Sequence, residues 1–155
     1  MNHWYWNKKP QEKHKTPRLP MKDKPYNELV KIADREFSLY IRRKYATDEG
    51  YVKCYTCGKI DHYKMMDCGH YISRSCHFYR WDEQNARAQC RYCNRFKDGE
   101  KVIFRAHLVE YIGEEDVKKL EEMSAFHGHS HLDRETLLDI IRHYKELNKK
   151  LDNVS

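Results

Sequence analysis

The sequence lacks any apolar run long enough to span a membrane, since charged residues interrupt every stretch of about 18 residues. Its first 24 residues also lack the apolar segment of a secretory signal peptide. We therefore expect a cytoplasmic protein with no membrane partner. In that compartment thiols stay reduced, and paired cysteines bind metal more often than they form disulfides.

Apolar residues are also scarce, at 39% of the 155 residues, whereas 35% are charged. We therefore expect no large continuous core, and a bound metal would help to stabilise a small one. The formal net charge is +6. This excess suits binding to nucleic acid, but many other soluble proteins share it.

The composition divides the chain into four parts. Residues 1–24 are basic and interrupted by prolines, so we expect a disordered arm that either contacts phosphates or has no binding role. Residues 25–50 predict a helix, because apolar side chains recur every three or four positions. Residues 51–112 contain the paired cysteines. Residues 113–155 predict further helices, whose last apolar stripe packs on the first helix or on a second subunit.

Two Cys-x-x-Cys pairs predict a structural zinc site. The pairs are Cys54 with Cys57 and Cys90 with Cys93. Four thiolates form a closed tetrahedral shell with no open position. The gap between the pairs is too long for a simple zinc ribbon, so the two pairs must enclose a folded insert. Cys68 and Cys76 remain as buried thiols, although one of them could replace a member of the four.

The insert contains residues suited to phosphodiester hydrolysis, which needs a base for the attacking water and a hard cation at the phosphate. His70 is the candidate base. The side-chain oxygen of Asn94, beside Cys93, is a candidate ligand for Mg²⁺ or Mn²⁺. Asp67 is a second candidate oxygen ligand. Asn85 is suited to tying the intervening loop and orienting His70.

Cys-x-x-Cys followed by His70, Asn85 and then Cys-x-x-Cys-Asn94 resembles the zinc-bearing HNH, or His-Me finger (ββα-metal), endonucleases. Four segments more closely resemble the phage lambda NinG (Rap) recombination family. They are DCGHY at 67–71, RWDEQN at 80–85, QCRYCN at 89–94 and LVEYIG at 108–113. The resemblance implies an α+β fold, in which a small zinc-stabilised ββα-metal core is flanked by an N-terminal helix and C-terminal helices.

The family resemblance also implies a function. It points to a structure-specific endonuclease of the Holliday junction resolvase type, cutting Holliday junctions and D-loops by one-metal hydrolysis. Its setting would be a phage-infected or prophage-carrying bacterium, with a phage or host recombinase as a further partner. Paired cuts on opposing strands favour a homodimer. The alternative is a non-catalytic zinc-ribbon DNA-binding module or recombinase-recruiting adaptor, because basic charge and four thiols alone would produce one.

One position departs from the HNH pattern. Many HNH enzymes place a metal-binding Asp directly before the His, where this sequence has Gly69. Asp67 would replace that ligand if the strand bulges at Gly69, and otherwise it has a structural role. In the second case Asn94 and waters would hold the metal, or His77 or Asp82 would contribute.

Six basic side chains crowd the same segment and are candidate phosphate contacts, or else a solvated surface. They are Arg74, Arg80, Arg87, Arg91, Arg95 and Lys97. Tyr71, Trp81 and Tyr92 are expected to pack over the zinc rather than to stack on bases.

Overall fold

The computed structural model describes residues 19–127, apart from the side chain of residue 127, and residues 131–153. Most of the predicted basic arm, residues 1–18, lies outside the described residues. The elements in chain order are α1 (Tyr26–Arg43), β1 (Tyr51–Lys53), β2 (Ile60–His62), β3 (Met66–His70), β4 (Ala86–Cys90), α2 (Lys101–Ile112), α3 (Glu114–His127) and α4 (Arg134–Asp152). Within the described ranges, no helix has both the length and the apolar character needed to cross a bilayer.

Helices α1 and α4 pack on each other and form the larger core. Its fully buried members include Leu29, Phe37, Leu137 and Ile141. Asp133 caps α4, since its Oδ1 accepts a hydrogen bond from the backbone N–H of Thr136 at 2.9 Å. The apolar stripe of α4 therefore lies against the first helix of the same chain, which was one of the two predicted positions.

Strands β3 and β4 form an antiparallel pair whose register is continuous along all five residue pairs. The bulge that would redirect Asp67 is absent from this pairing. Because side chains alternate along a strand, Asp67 and His70 leave the backbone toward opposite faces. Position 69 is also opposite to His70, so Asp67 shares a face with the position where HNH enzymes place their aspartate and lies two residues earlier along the strand.

Gly69 leaves room for a neighbouring side chain. A Cβ atom at this position would lie 1.9 Å from Oε1 of Gln89 and 2.8 Å from its Cγ. Gln89 is fully buried, and its Nε2 donates to the Gly99 carbonyl at 2.8 Å and to Oγ1 of Thr56 at 3.2 Å. The glycine thus admits the side chain that ties β4 to the β1–β2 connection and to the turn before α2.

A smaller core surrounds the cysteine pairs, where Val52, Met66 and Ala88 pack with three of the cysteines. The three aromatic residues expected over the zinc lie elsewhere, so that prediction is wrong. Tyr71 stacks on Phe104, Trp81 belongs to the α1–α4 core, and Tyr92 is 62% exposed. Val52, Met66 and Ala88 surround the cysteines instead.

We predict that Gly69→Ala lowers the free energy of unfolding by about 1–3 kcal/mol, because the new methyl group overlaps an anchored, buried side chain. Urea denaturation measures the loss. Combined with Gln89→Ala, the substitution should cost less than the sum of the two single losses, since both act on one contact. Strictly additive losses would contradict this interpretation.

Candidate functional site

The four predicted cysteine ligands come together. The sulfur atoms of Cys54, Cys57, Cys90 and Cys93 all lie within 4.8 Å of one another. The sulfurs of Cys57 and Cys90 are 3.8 Å apart. Zinc–sulfur bonds of about 2.3 Å would place tetrahedral sulfurs roughly 3.8 Å apart, so the cluster fits one zinc ion. Cys68 and Cys76 lie outside it.

The backbone around the cluster stabilises negative sulfur. The N–H of Cys90 donates to Sγ of Cys54 at 3.2 Å, and the N–H of Cys93 donates to Sγ of Cys90 at 3.5 Å. Burial opposes ionisation of Cys54, but hydrogen bonds from the backbone of Cys57 and Cys90 and from Thr56 hold its pKa at about 6. Burial and neighbouring thiols raise the pKa of Cys93 to about 12. A bound dication would remove this conflict, because it would favour all four thiolates.

We predict one zinc ion per chain and its loss in Cys54→Ser, because Cys54 is a buried member of the cluster. Elemental analysis measures the metal, and thermal denaturation measures the accompanying loss of stability. Cys76→Ala is the matched control, since Cys76 is also buried but lies outside the cluster. Full zinc content in Cys54→Ser would show that Cys54 is not a zinc ligand.

An open groove of about 1210 Å³ runs beside the cluster. Residues from α1, β3, the loop 71–76 and the turn Tyr92–Phe96 line it. Three predicted site residues, Asp67, His70 and Asn94, share this lining. Its cations are Arg42, Lys64, Arg74, Arg91, Arg95 and Lys101, against the three acids Asp34, Asp67 and Asp98. The groove is therefore positively charged overall and suits a polyanion.

The ring of His70 is held in one orientation. Its Nε2 lies 2.9 Å from the carbonyl oxygen of Arg80. That oxygen can only accept, so Nε2 carries the hydrogen and Nδ1 keeps the lone pair. Burial lowers the pKa of His70 to about 4, although the hydrogen bond to Arg80 acts in the opposite direction. The imidazole is therefore neutral at pH 7, and Nδ1 is the ring nitrogen whose lone pair can accept a proton.

Asn85 ties the loop between β3 and β4. This fully buried residue accepts from the N–H of Ile72 at 2.6 Å. Its Nδ2 donates to the carbonyls of Tyr79 at 2.8 Å and Ile72 at 3.1 Å. One amide side chain therefore fixes both ends of the loop, and this loop carries the carbonyl that contacts His70.

Asp34 supports the same loop from α1, and the sequence analysis missed it. Its carboxylate accepts from Nε and Nη2 of Arg80 at 2.9 and 2.7 Å, and from the indole of Trp81 at 3.0 Å. The bidentate pair holds the residue whose carbonyl orients His70. Asp34 and Arg80 are 46 positions apart, so no local pattern in the sequence indicates this contact.

Asn94 and Asp67 lie side by side. Nδ2 of Asn94 donates to Oδ2 of Asp67 at 3.1 Å, which leaves the amide oxygen of Asn94 free of this contact. Arg95 binds both carboxylate oxygens of Asp67, at 2.7 and 2.8 Å. Burial opposes ionisation of Asp67, but Arg95 and Asn94 hold its pKa below the usual value. Two hard oxygen donors suit Mg²⁺, and direct binding by Asp67 would require Arg95 to move aside.

His77 and Asp82, the two alternative metal ligands, lie away from the groove lining. The ring of His77 contacts that of His131, with centroids 4.8 Å apart. The carboxylate of Asp82 accepts from the N–H of Gln84 at 2.6 Å. Among the described residues, the oxygen donor beside Asn94 is therefore the carboxylate of Asp67 rather than a group of His77 or Asp82.

Only three of the six predicted phosphate contacts line the groove. Arg74, Arg91 and Arg95 line the groove, whereas Lys97 pairs with Glu100 at 2.7 Å. Arg80 is engaged with Asp34, as described above.

Arg87 requires a correction, because its side chain is used in packing. It is only 7% exposed and donates to the backbone carbonyls of Glu83 and Ala86. Its guanidinium carbon lies 5.3 Å from the ring centroid of Tyr55 and 4.7 Å from that of Tyr111. Arg87 therefore has no charge available for a phosphate.

Lys101, at the start of α2, is a further residue that the sequence analysis missed. Its Nζ donates to the carbonyls of His70 at 2.6 Å and Tyr71 at 2.5 Å, and burial lowers its pKa. The lysine thus fixes the end of β3 where His70 lies. The only signal in the sequence is a lysine after a turn, which is common on any surface.

We predict a titration midpoint near pH 4 for the His70 ring in the zinc-loaded protein, because burial disfavours the charged form. Proton–carbon NMR correlations of the imidazole measure it. Since the folded pKa lies below the unfolded value of about 6.5, the ring stays neutral above pH 5 and becomes charged only in stronger acid. A midpoint near 6.5 would contradict the buried geometry.

These features define a class: a small α+β protein in which a four-cysteine cluster adjoins a basic groove that contains a histidine. The family model described as Bacteriophage Lambda NinG protein matches residues 5–154. The chain therefore belongs to the NinG family, which confirms the resemblance found in the sequence.

Individual relatives agree with this assignment. The chain is 31% identical over 111 residues to Protein ninG of Escherichia phage 933W, a match covering 71% of this chain and 52% of that protein. Protein ninG of Escherichia phage lambda is 30% identical, with 71% and 51% covered, and that of Salmonella phage P22 is 31% identical, with the same shares. The chain spans about half the length of these curated relatives. No solved structure matches it significantly.

Proposed function

We propose that this protein is a Mg²⁺-dependent endonuclease that cuts branched DNA recombination intermediates. One observation carries the proposal: the neutral, oriented ring of His70 shares a cationic groove with the oxygen donors of Asn94 and Asp67. A base, two hard ligands and positive charge are the components that phosphodiester hydrolysis needs.

In this mechanism Nδ1 of His70 takes the proton from the attacking water, and the water oxygen forms the new bond to phosphorus. The P–O bond to the leaving sugar oxygen breaks, and that oxygen takes a proton from solvent. The amide oxygen of Asn94 and the carboxylate of Asp67 would hold Mg²⁺ or Mn²⁺. The bound cation supplies charge stabilisation at the phosphate and at the leaving oxygen. Arg74 and Arg91 neutralise the phosphates on either side of the scissile bond.

The choice of branched DNA rests on membership in the NinG family of phage proteins rather than on the groove itself. The same relationship supports a phage or host recombinase as a partner. A homodimer would place two grooves on opposing strands of a four-way junction, so that both strands can be cut. Because α4 packs on α1 of the same chain, such a dimer would use another surface.

We predict that the protein nicks an end-labelled four-way junction in the presence of Mg²⁺, and that His70→Ala lowers the rate by about 10²–10⁴-fold through loss of the base. His143→Ala is the matched control, because His143 is an exposed histidine on α4 away from the groove lining. Circular dichroism and zinc content should be unchanged in both variants. Full cleavage by His70→Ala would exclude His70 as the base.

A linear duplex of the same sequence tests the substrate preference in that experiment. Faster cleavage of the junction supports a branched substrate, and equal rates would reduce the proposal to a general nuclease. Junction binding without cleavage in Mg²⁺, Mn²⁺, Ni²⁺ or Co²⁺ would instead support the non-catalytic DNA-binding module.

A further inference from the structure

The turn Tyr92–Phe96 exposes two aromatic rings beside the groove. Tyr92 is 62% exposed and Phe96 is 77% exposed. Their rings are nearly parallel, with centroids 6.2 Å apart and an interplanar angle of 27°. Neither ring belongs to any of the apolar cores of the described residues. A stacked, solvent-exposed aromatic pair of this kind offers a large binding surface.

The position of this pair is fixed by its neighbours in the same turn. Cys93 is held in the sulfur cluster, and Asn94 and Arg95 line the groove. The two rings therefore lie on a supported segment, at the edge of the groove that would hold the scissile phosphate.

Charge around the pair indicates what that ligand is. Arg91 lines the groove, as does Arg95, which is paired with Asp67. Nζ of Lys97, which is paired with Glu100, lies 5.5 Å from the ring centroid of Tyr92. A cationic track next to aromatic faces is the arrangement by which proteins bind single-stranded nucleic acid, with phosphates on the cations and bases on the rings. Bases within a duplex are already stacked, so only unpaired bases have a free face.

We propose that Tyr92 and Phe96 form a stacking platform for unpaired nucleobases of a DNA strand whose phosphates lie in the groove. The proposal rests on the proposed function only for the assignment of that strand to the groove. It adds a recognition element: unpaired bases next to the cut site, as found at branch points and strand ends, are bound directly by the protein.

The test uses the whole 155-residue chain, zinc-loaded and without added Mg²⁺, so that binding is observed without cleavage. The probe is a branched oligonucleotide with 2-aminopurine at an unpaired position beside the branch, and a fully paired duplex of equal length is the reference. Wild-type protein should quench the 2-aminopurine fluorescence by stacking. Tyr92→Leu combined with Phe96→Leu should abolish the quenching and weaken branched-DNA binding about tenfold, the equivalent of one stacked base. Duplex affinity should stay within about twofold.

Two matched variants separate stacking from other effects. Tyr92→Phe combined with Phe96→Tyr keeps both rings and should retain the quenching and the affinity. Tyr51→Leu removes a half-exposed aromatic ring from β1, outside the groove lining, and should also behave as wild type. Zinc content and circular dichroism establish that each variant is folded.

Absence of quenching by the wild-type protein would overturn the proposal. So would a Tyr92→Leu/Phe96→Leu protein that retains quenching, or one that loses duplex and branched binding equally. These readouts are independent of cleavage. A protein that quenches but never cuts would overturn the proposed nuclease alone, and one that cuts through His70 without quenching would overturn only the stacking platform.

Discussion

Four sulfur atoms connect parts of the chain that little else holds together. Strands β1 and β2 have three residues each, and the core beneath them consists mainly of Val52, Met66 and Ala88. So few buried apolar side chains cannot stabilise the hairpin alone. Closely spaced thiolates repel one another without a cation, so a zinc ion bound here would contribute its binding free energy directly to folding. The Tyr92–Phe96 turn, and hence Asn94, is connected to the cysteine cluster through Cys93.

The opposite wall of the groove is supported differently. The ring of His70 is oriented by a carbonyl in a loop that Asp34 and Asn85 hold, and Asp34 belongs to α1. Helix α1 is stabilised by its apolar packing on α4. The candidate base therefore depends on a hydrophobic core, and the candidate oxygen ligands depend on the four-cysteine cluster. The groove lies where these two independently stabilised parts meet.

Much of this arrangement can be predicted from the sequence, because its signals are local. Cysteine spacing indicates the cluster, and apolar periodicity indicates α1 and α4. Strand β4 was missed, because five residues, ARAQC, carry no clear alternation and all of them are buried.

The remaining misses are contacts between distant positions. From the sequence alone, Asp34 is one more charge on the polar face of α1, and only the folded chain brings it to Arg80. From the sequence alone, Arg87 is expected on the surface, but in the fold its guanidinium lies against the rings of Tyr55 and Tyr111. Exposure of Tyr92 likewise depends on how the cysteine turn is oriented, which spacing alone does not determine.

The contact between Gly69 and Gln89 has an evolutionary consequence. In many HNH enzymes an aspartate stands directly before the histidine, and here the space for any side chain at that position is filled by a buried glutamine bound to Thr56 and Gly99. An aspartate at position 69 could not be accommodated by one substitution, since residue 89 would also have to become smaller. Positions 69 and 89 should therefore vary together among relatives, with a glycine accompanying a long side chain and an aspartate accompanying a short one.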